Sequence, residues 1–229
     1  MTEPVLKALD LHVSFGQTPA LRGATVVAER AEFVAIMGPS GSGKSTLLHC
    51  LAGIYVPGSG EVHYNGKRVD RMPDKQRTKL RRTEFGFVFQ FGQLVPELSA
   101  VDNIAVPLLL NRVSRRNAYR RAQSWLDRLG ISELARRRTG ELSGGQAQRV
   151  AIGRALVLHP KVLFADEPTG SLDSQTGRQV LDLLTGVARE EGSTVVLVTH
   201  DARVAACADR TVHVTDGLVS AAVQVGGAR

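Results

Sequence analysis

The sequence lacks the features that would let the chain cross a membrane or depend on disulfide bonds. Its 229 residues include two cysteines, Cys50 and Cys207, which lie far apart and form no CxxC pair. We interpret both as reduced, mostly buried thiols of a cytosolic protein, which argues against a zinc or redox centre. The best apolar run, 104–110, contains Pro107 and falls short of the roughly 18 residues of a spanning helix. If the protein works at a membrane, another polypeptide does the spanning.

Positive charge is in surplus but does not by itself identify a partner. There are 29 Lys and Arg against 22 Asp and Glu, a formal net charge of +7. Basic clusters lie at 77–82, 112–121 and 136–138. We interpret them as solvated helix faces, with attraction to an anionic leaflet or an acidic partner as the alternative. No specific nucleic-acid binding is expected, since no recognised module is present.

Short apolar runs alternate with helical patterns, which predicts an α/β fold. Strands are predicted at 9–15, 25–28, 33–37, 61–64, 67–69, 85–89, 162–165 and 194–199. Helices are predicted at 43–52, 101–110, 115–129, 143–158, 174–191 and from Asp201 onward. This alternation favours a mainly parallel sheet covered on both faces, while Asn65-Gly66 marks a hairpin. The helical middle, about 91–155, is interpreted as an insertion.

A glycine-rich segment at 38–45 matches the pattern GxxxxGK[ST] between a predicted strand and a predicted helix. Its glycines let backbone amides close around phosphate oxygens, and the helix N-terminus adds partial positive charge. Lys44 would reach the β- and γ-phosphates, Ser45 would give its hydroxyl to Mg²⁺, and Thr46 would face the α-phosphate. The alternative is a surface turn. The predicted nucleotide-binding residues are Gly38, Ser40, Gly41, Ser42, Gly43, Lys44, Ser45 and Thr46.

Two carboxylates follow the apolar strand at 162–165, namely Asp166 and Glu167. In a sheet that carries a phosphate loop, Asp166 would hold Mg²⁺ through water. Glu167 would then face the γ-phosphate and polarise the attacking water. A strand that ends in Asp-Glu is weak evidence alone, and the phosphate loop is what favours this reading.

A second candidate phosphate-binding surface begins a later helix. The segment Leu142-Ser143-Gly144-Gly145-Gln146 offers amides and a hydroxyl at a helix N-terminus, although a serine there is also an ordinary N-cap. With this segment the chain resembles the ATP-binding-cassette (ABC) ATPase family, over about 5–219. The resemblance implies one domain over 1–229 with a P-loop NTPase (RecA-like) core at about 1–90 and 156–229. It also implies an antiparallel β subdomain and a helical subdomain at about 91–155.

The resemblance assigns roles to four further residues. Gln90 is similar to the Q-loop glutamine that senses Mg²⁺ and the γ-phosphate, and Asp173 to the D-loop aspartate that crosses a dimer interface. His200 resembles the H-loop histidine that contacts the γ-phosphate, although a histidine at a strand end is usually structural. Phe15 falls at the place of the adenine-stacking aromatic, with a core phenylalanine as the alternative.

The family also implies a head-to-tail homodimer with two ATP molecules at its interface. Each site takes the phosphate loop of one subunit and, from the other, the residues Ser143, Gly144, Gly145, Gln146 and Asp173. The expected catalytic residues are Glu167, His200, Lys44 and Gln90. The expected Mg²⁺ ligands are Ser45, Gln90 and Asp166.

Some local segments are similar to a narrower group of lipoprotein-release, macrolide-export and FtsE-like ATPases. They are FGFVFQ at 85–90, LVP at 94–96, DNI at 102–104, VPL at 106–108 and ADEPTG at 165–170, whereas Ser171 departs from the usual Asn. This implies a separate integral membrane subunit, which docks near 91–107 with Phe91, Leu94, Val95 and Leu98 as apolar contacts. ATP hydrolysis on the cytoplasmic side of the membrane would power export, extraction or mechanical signalling. The alternatives are a soluble ABC ATPase of the iron–sulfur assembly or repair type, and an envelope regulator with slow turnover.

Overall fold

The computed structural model describes residues 4–224 and divides into two units. One unit comprises the chain up to Arg81 together with the segment from Gly192 onward, and the other comprises 82–191. The strands are β1 (Leu6–Phe15), β2 (Thr18–Ala28), β3 (Phe33–Met37), β4 (Ser59–Tyr64), β5 (Lys67–Arg68), β6 (Phe85–Phe89), β7 (Val162–Asp166), β8 (Thr194–Thr199), β9 (Arg210–Thr215) and β10 (Leu218–Gln224). The helices are α1 (Lys44–Leu51), α2 (Asp74–Thr83), α3 (Ala100–Leu110), α4 (Arg115–Arg128), α5 (Gly144–Leu156), α6 (Ser174–Glu190) and α7 (Ala202–Ala205). Short 3₁₀ helices lie at Ser132–Leu134 and Thr139–Glu141.

An antiparallel sheet with the strand order β2-β1-β4-β5 forms one part of the first unit. The predicted hairpin at Asn65-Gly66 is confirmed, because β4 and β5 pair across it and both residues have positive φ, 47° and 73°. Two successive residues in that conformation are what a type I′ hairpin turn requires.

The same unit contains a second set of strands in the order β10-β9-β3-β8. β3 pairs in parallel with both β8 and β9, while β10 returns antiparallel to β9. Every residue of β8 is buried, as expected for a parallel strand covered on both faces. In register, Met37 pairs with Thr199, so the chain leaves β3 and β8 at the same edge.

The second unit combines a parallel strand pair with four helices, α3 to α6. β6 and β7 pair in parallel from Phe85 with Val162 to Phe89 with Asp166. Aromatic contacts stabilise this pair of strands. The ring centroid of Phe164 lies 5.2 Å from that of Phe85 and 5.5 Å from that of Phe87. Trp125 of α4 is buried, which confirms the prediction that it packs in the core.

Several elements differ from the sequence-based prediction. β1 and β2 begin earlier than predicted, and α2, β9 and β10 were not predicted. α2 buries none of its residues and therefore lacks the apolar period by which helices are found. The helix predicted from Asp201 is only the four residues of α7, and the chain then enters β9. The domain boundaries drawn from the sequence stay a prediction.

Two findings concern membrane-spanning helices and the two cysteines. Within residues 4–224, no helix is both long and apolar enough to cross a membrane. Cys50 and Cys207 are both free thiols, and Cys50 is buried as predicted. Cys207 is less buried than predicted, and its Sγ donates a hydrogen bond to the Val204 carbonyl at 2.8 Å.

The two thiols are expected to differ in reactivity. Burial raises the pKa of the Cys50 thiol to about 12, so almost no thiolate is present near pH 8. In the native protein a thiol-specific disulfide reagent should therefore modify Cys207 and spare Cys50, and unfolding should expose both. Cys207→Ser is the control and should abolish native labelling. Rapid modification of that variant in the folded state would contradict the buried position of Cys50.

Candidate active site

The segment 38–45 connects β3 to α1 and is held in a tight loop. Gly43 has φ of 102°, and a Cβ there would collide with the Ala20 carbonyl oxygen of β2. A Cβ at Gly38 would likewise collide with the Val214 carbonyl oxygen of β9. Only glycine fits either position, since both restrictions come from rigid backbone. The loop is therefore pinned between two strands.

Polar groups of this loop are arranged to receive an anion. The Gly217 amide donates to the Ser42 carbonyl at 3.0 Å, which anchors the loop to the β9–β10 turn. Within residues 4–224 the buried Ser42 hydroxyl has no hydrogen-bond partner. Gly43 is the N-cap of α1 and brings no capping side chain, so the first amides of this helix remain for a ligand. Phosphate oxygens would satisfy these donors.

The ammonium group of Lys44 adds an uncompensated charge to the loop. Only 7% of Lys44 is exposed, and its Nζ donates to the Pro39 carbonyl at 2.8 Å. Among the described residues it forms no ion pair with a carboxylate. A buried cation is unfavourable unless it is paired, so an anionic ligand at the loop gains affinity from Lys44. Ser45, one residue further, is exposed.

His200 and Phe15 are the other candidate residues of the first unit. Because Met37 pairs with Thr199, Gly38 and His200 follow neighbouring positions of β3 and β8. His200 is exposed and precedes Asp201, whose pKa is lowered to about 2, chiefly by hydrogen bonds from Arg203. Phe15 is 52% exposed, so the alternative of a core phenylalanine is wrong.

Tyr55 is a neighbour of Phe15 that sequence reasoning missed. The two ring centroids lie 5.6 Å apart in an edge-to-face contact, and Tyr55 contacts the His49 ring in the same manner at 5.2 Å. These contacts support the Phe15 ring from the end of α1. No local pattern could reveal this pair, since it depends on tertiary structure.

The candidate catalytic residues of the second unit lie directly after β6 and β7. Phe89 pairs with Asp166, so Gln90 and Glu167 follow at adjacent positions. Glu167 has a left-handed backbone, φ 48°, a conformation that raises the energy of a non-glycine residue by about 1–3 kcal/mol. Such strain persists where the surroundings impose it, and it is frequent at active sites.

Two contacts hold Gln90. Ser171 Oγ donates to the Gln90 carbonyl at 2.7 Å, and the Gln90 side chain lies against Gly170.

Ser143 begins α5 with a complete capping box. The Gln146 amide donates to Ser143 Oγ at 3.3 Å, and the Ser143 amide donates to Gln146 Oε1 at 2.9 Å. Ser143 is therefore the N-cap of α5, which confirms that a helix begins here, and the capping bond leaves the hydroxyl proton available to donate. Ser143 and Gly144 are exposed, so the helix N-terminus is open to an anion. Gly145 is buried against Thr176 of α6.

Asp173 occupies the equivalent position at the start of α6. Its carboxylate accepts from the amides of Thr176 at 3.0 Å and Gln175 at 3.1 Å. Hydrogen bonds from Thr176, and then from Gln175, hold the pKa of Asp173 below its usual value. The exposed carboxylate is therefore charged at neutral pH.

Each unit contains an oxygen donor of the type that Mg²⁺ prefers. Within the described part of the chain, no group of three or more His, Cys, Asp or Glu residues could hold a metal ion. A hydroxyl at Ser45 and a carboxylate at Asp166 are hard oxygen donors, the type that Mg²⁺ takes together with phosphates and water. The predicted site residues thus form two groups, one in each unit, and each group is ordered locally.

The chain is similar to known proteins over most of its length. The family model described as "ABC transporter" matches residues 21–170. The lipoprotein-releasing system ATP-binding protein LolD of Bordetella pertussis is 44% identical over 220 residues, which are 94% of this chain and 95% of that protein. LolD of Hahella chejuensis is 42% identical over 224 residues, 96% of this chain and 97% of that protein.

Solved structures of ATP-binding cassettes have the same fold. The cassette MJ0796, a dimer in a post-hydrolysis state with ADP and phosphate, has a TM-score of 0.89 and 37% identity and covers 97% of this chain and 99% of that one. CbiO1 of Clostridium perfringens, part of the ABC transporter complex cbiONQ, has a TM-score of 0.88 and 32% identity, with coverage of 98% and 90%. The predicted P-loop NTPase fold is confirmed.

The family model covers more than half of the chain, and relatives over 40% identical span nearly all of it. The chain belongs to the ABC transporter family, as an ATP-binding subunit that hydrolyses ATP.

Proposed function

We propose that the chain powers a transporter in which a separate integral membrane subunit releases or extracts lipid-modified proteins or chemically similar amphiphiles. The observation that carries this proposal is the 44% identity to a lipoprotein-releasing system ATP-binding protein over almost the whole of both chains. The chain would lie at the cytoplasmic side of the membrane, attached through that subunit. The soluble iron–sulfur assembly or repair type has no observation in its favour.

At the nucleotide, each residue has a role that its chemistry supports. Phe15 would stack on adenine, since its ring is exposed. Lys44 would bind the β- and γ-phosphates together with the loop amides. Glu167 would polarise the attacking water, and His200 would contact the γ-phosphate. Mg²⁺, held by Ser45, Asp166 and Gln90, would neutralise phosphate charge.

The second half of each site would come from another copy of the chain. In a head-to-tail homodimer, the exposed N-terminus of α5 would meet the γ-phosphate bound by the partner. The residues that would act in trans are Ser143, Gly144, Gly145, Gln146 and Asp173. Support comes from the spare hydroxyl proton of Ser143 and from the dimeric state of the similar cassette MJ0796. An ATP molecule shared in this way would close the dimer, and hydrolysis of that ATP would let the dimer open.

The membrane subunit would dock on the apolar side chains near Gln90. Phe91 is 76% exposed and Val95 is 41% exposed, an arrangement typical of a surface that another protein covers. Leu94 is buried and Leu98 is half-buried. Of the four apolar side chains expected to contact the membrane subunit, Phe91 and Val95 are therefore the main candidates.

We predict that Glu167→Gln binds ATP but hydrolyses it at least 100-fold more slowly, because the amide cannot polarise water while the phosphate loop is intact. The variant should accumulate as an ATP-bound dimer, detected by size-exclusion chromatography with light scattering. Glu84→Gln, an acidic residue outside both groups of site residues, is the matched control and should behave as wild type. Wild-type turnover by Glu167→Gln would contradict the role of Glu167.

We also predict that Phe91→Asp separates the chain from its membrane subunit without loss of the chain's own ATPase activity. A charge in an apolar contact removes burial energy and adds desolvation. The measurement is a pull-down of tagged protein from detergent-solubilised membranes, with bound proteins identified by mass spectrometry.

Leu110→Asp is the matched control for Phe91→Asp. Leu110 is 60% exposed at the end of α3, outside the expected docking segment, so its substitution should retain the partner. A stoichiometric multi-spanning partner lost only with Phe91→Asp would support the proposal. Wild-type protein that captures only soluble partners would contradict it.

A further inference from the structure

The segment that carries Gln90 has an unusual backbone. We define the Gln90 loop as residues 89–93. Gly92 and Gln93 have φ of 65° and 45°, two successive left-handed residues, of which Gln93 is not glycine. Its internal hydrogen bonds run from the Gly92 amide to the Phe89 carbonyl at 3.0 Å and from the Gln93 amide to the Phe91 carbonyl at 2.7 Å. A turn of this kind is retained only when other groups hold it.

Side chains from other elements hold four carbonyls of this loop. Gln148 Nε2 donates to the Phe89 carbonyl at 2.9 Å, and Ser171 Oγ donates to the Gln90 carbonyl at 2.7 Å. Arg154 supplies both remaining bonds, from Nη2 to the Gly92 carbonyl at 2.6 Å and from Nη1 to the Gln93 carbonyl at 2.7 Å.

Arg154 is specialised for this contact. No carboxylate among the described residues pairs with it, and burial lowers the pKa of its guanidinium. Its planar fork matches two adjacent carbonyl oxygens, a geometry that the single ammonium of lysine reproduces less well. Arg154 is a half-buried cation that bonds only to backbone carbonyls. Because it neutralises no carboxylate, its effect is to fix the position of the Gln90 loop.

We propose that Arg154 is a positioning residue that fastens the Gln90 loop to α5 and thereby fixes Gln90 for the nucleotide. Ser143 lies at the other end of the same helix, about 16 Å away along the axis. The exposed Phe91 lies within the fastened loop. Arg154 thus joins the loop that contains Phe91 to the helix that begins at Ser143. This inference rests on the role proposed above for Gln90.

The test compares Arg154→Met with Arg149→Met in the full-length chain. Arg149 is on the same helix and donates to a backbone carbonyl, that of Leu129 at 3.0 Å, but has no bond to the Gln90 loop. Both variants lose one arginine; Arg154→Met loses two carbonyl contacts, and Arg149→Met loses one. We expect Arg154→Met to lower kcat about 10- to 100-fold, as misplaced catalytic groups do, with KM for ATP within about twofold of wild type. Arg149→Met should retain kcat within about twofold, and Arg154→Lys should recover part of the loss.

Hydrogen exchange reports the anchoring independently of catalysis. Amides of the Gln90 loop should exchange faster in Arg154→Met than in Arg149→Met, while the segment 38–45 should be unchanged in both. Equal losses of kcat in the two variants, or unchanged exchange in the loop, would overturn the inference. Should Arg154→Met fail to fold, Arg154→Lys replaces it, because lysine cannot match the two carbonyl bonds of the guanidinium. Unchanged exchange of the Gln90 loop in Arg154→Lys would then overturn the inference.

Gln90→Ala distinguishes a failure of the positioning role of Arg154 from a failure of the role proposed for Gln90. A fall in kcat with Gln90→Ala but not with Arg154→Met would overturn the positioning role alone. Wild-type kcat with Gln90→Ala would remove the proposed role of Gln90. In that case the exchange data alone decide whether Arg154 anchors the loop.

Discussion

The proposed function depends on the attraction between a buried cation and an anion that the described part of the chain does not supply. Lys44 is almost entirely buried, is bound to the Pro39 carbonyl, and has no carboxylate partner among the described residues. The loop around it is fixed by backbone contacts at Gly38 and Gly43 that no other residue type would tolerate. Because the fold leaves this charge uncompensated, the phosphates of a bound nucleotide would compensate it. Nucleotide binding would then stabilise the fold at the start of α1.

The other candidate site residues are likewise held by their local surroundings. Glu167 is kept in a left-handed conformation directly after β7, and Ser143 caps α5 while it retains a donor proton. Asp173 keeps its charge because the amides of α6 hold it. Each is held by its local backbone, so the proposed reaction would require little reorganisation of these groups. The Gln90 loop differs, since its four side-chain hydrogen bonds come from other elements.

The local parts of this arrangement could be predicted from the sequence. The phosphate loop, the Asn65-Gly66 hairpin and the start of α5 each depend on a few adjacent residues with fixed backbone requirements. α2 could not be predicted from periodicity, because it has no buried face. β9 alternates buried and exposed residues only from Val212 to Thr215, and this stretch lies within the range of the helix predicted from Asp201 onward, whereas α7 ends at Ala205. The contact of Tyr55 with Phe15 and the bonds of Arg154 join residues distant in sequence, so no local pattern reveals them.

The central claim is that each catalytic site combines Lys44 of one copy with Ser143 of another. A mixture of two inactive variants, Lys44→Ala and Ser143→Glu, tests it most directly by ATPase rate. In a mixed dimer one site would receive both intact residues and the other neither. If the sites act independently, random pairing at equal concentrations should restore about a quarter of the wild-type rate. A mixture no more active than either variant alone would contradict the claim.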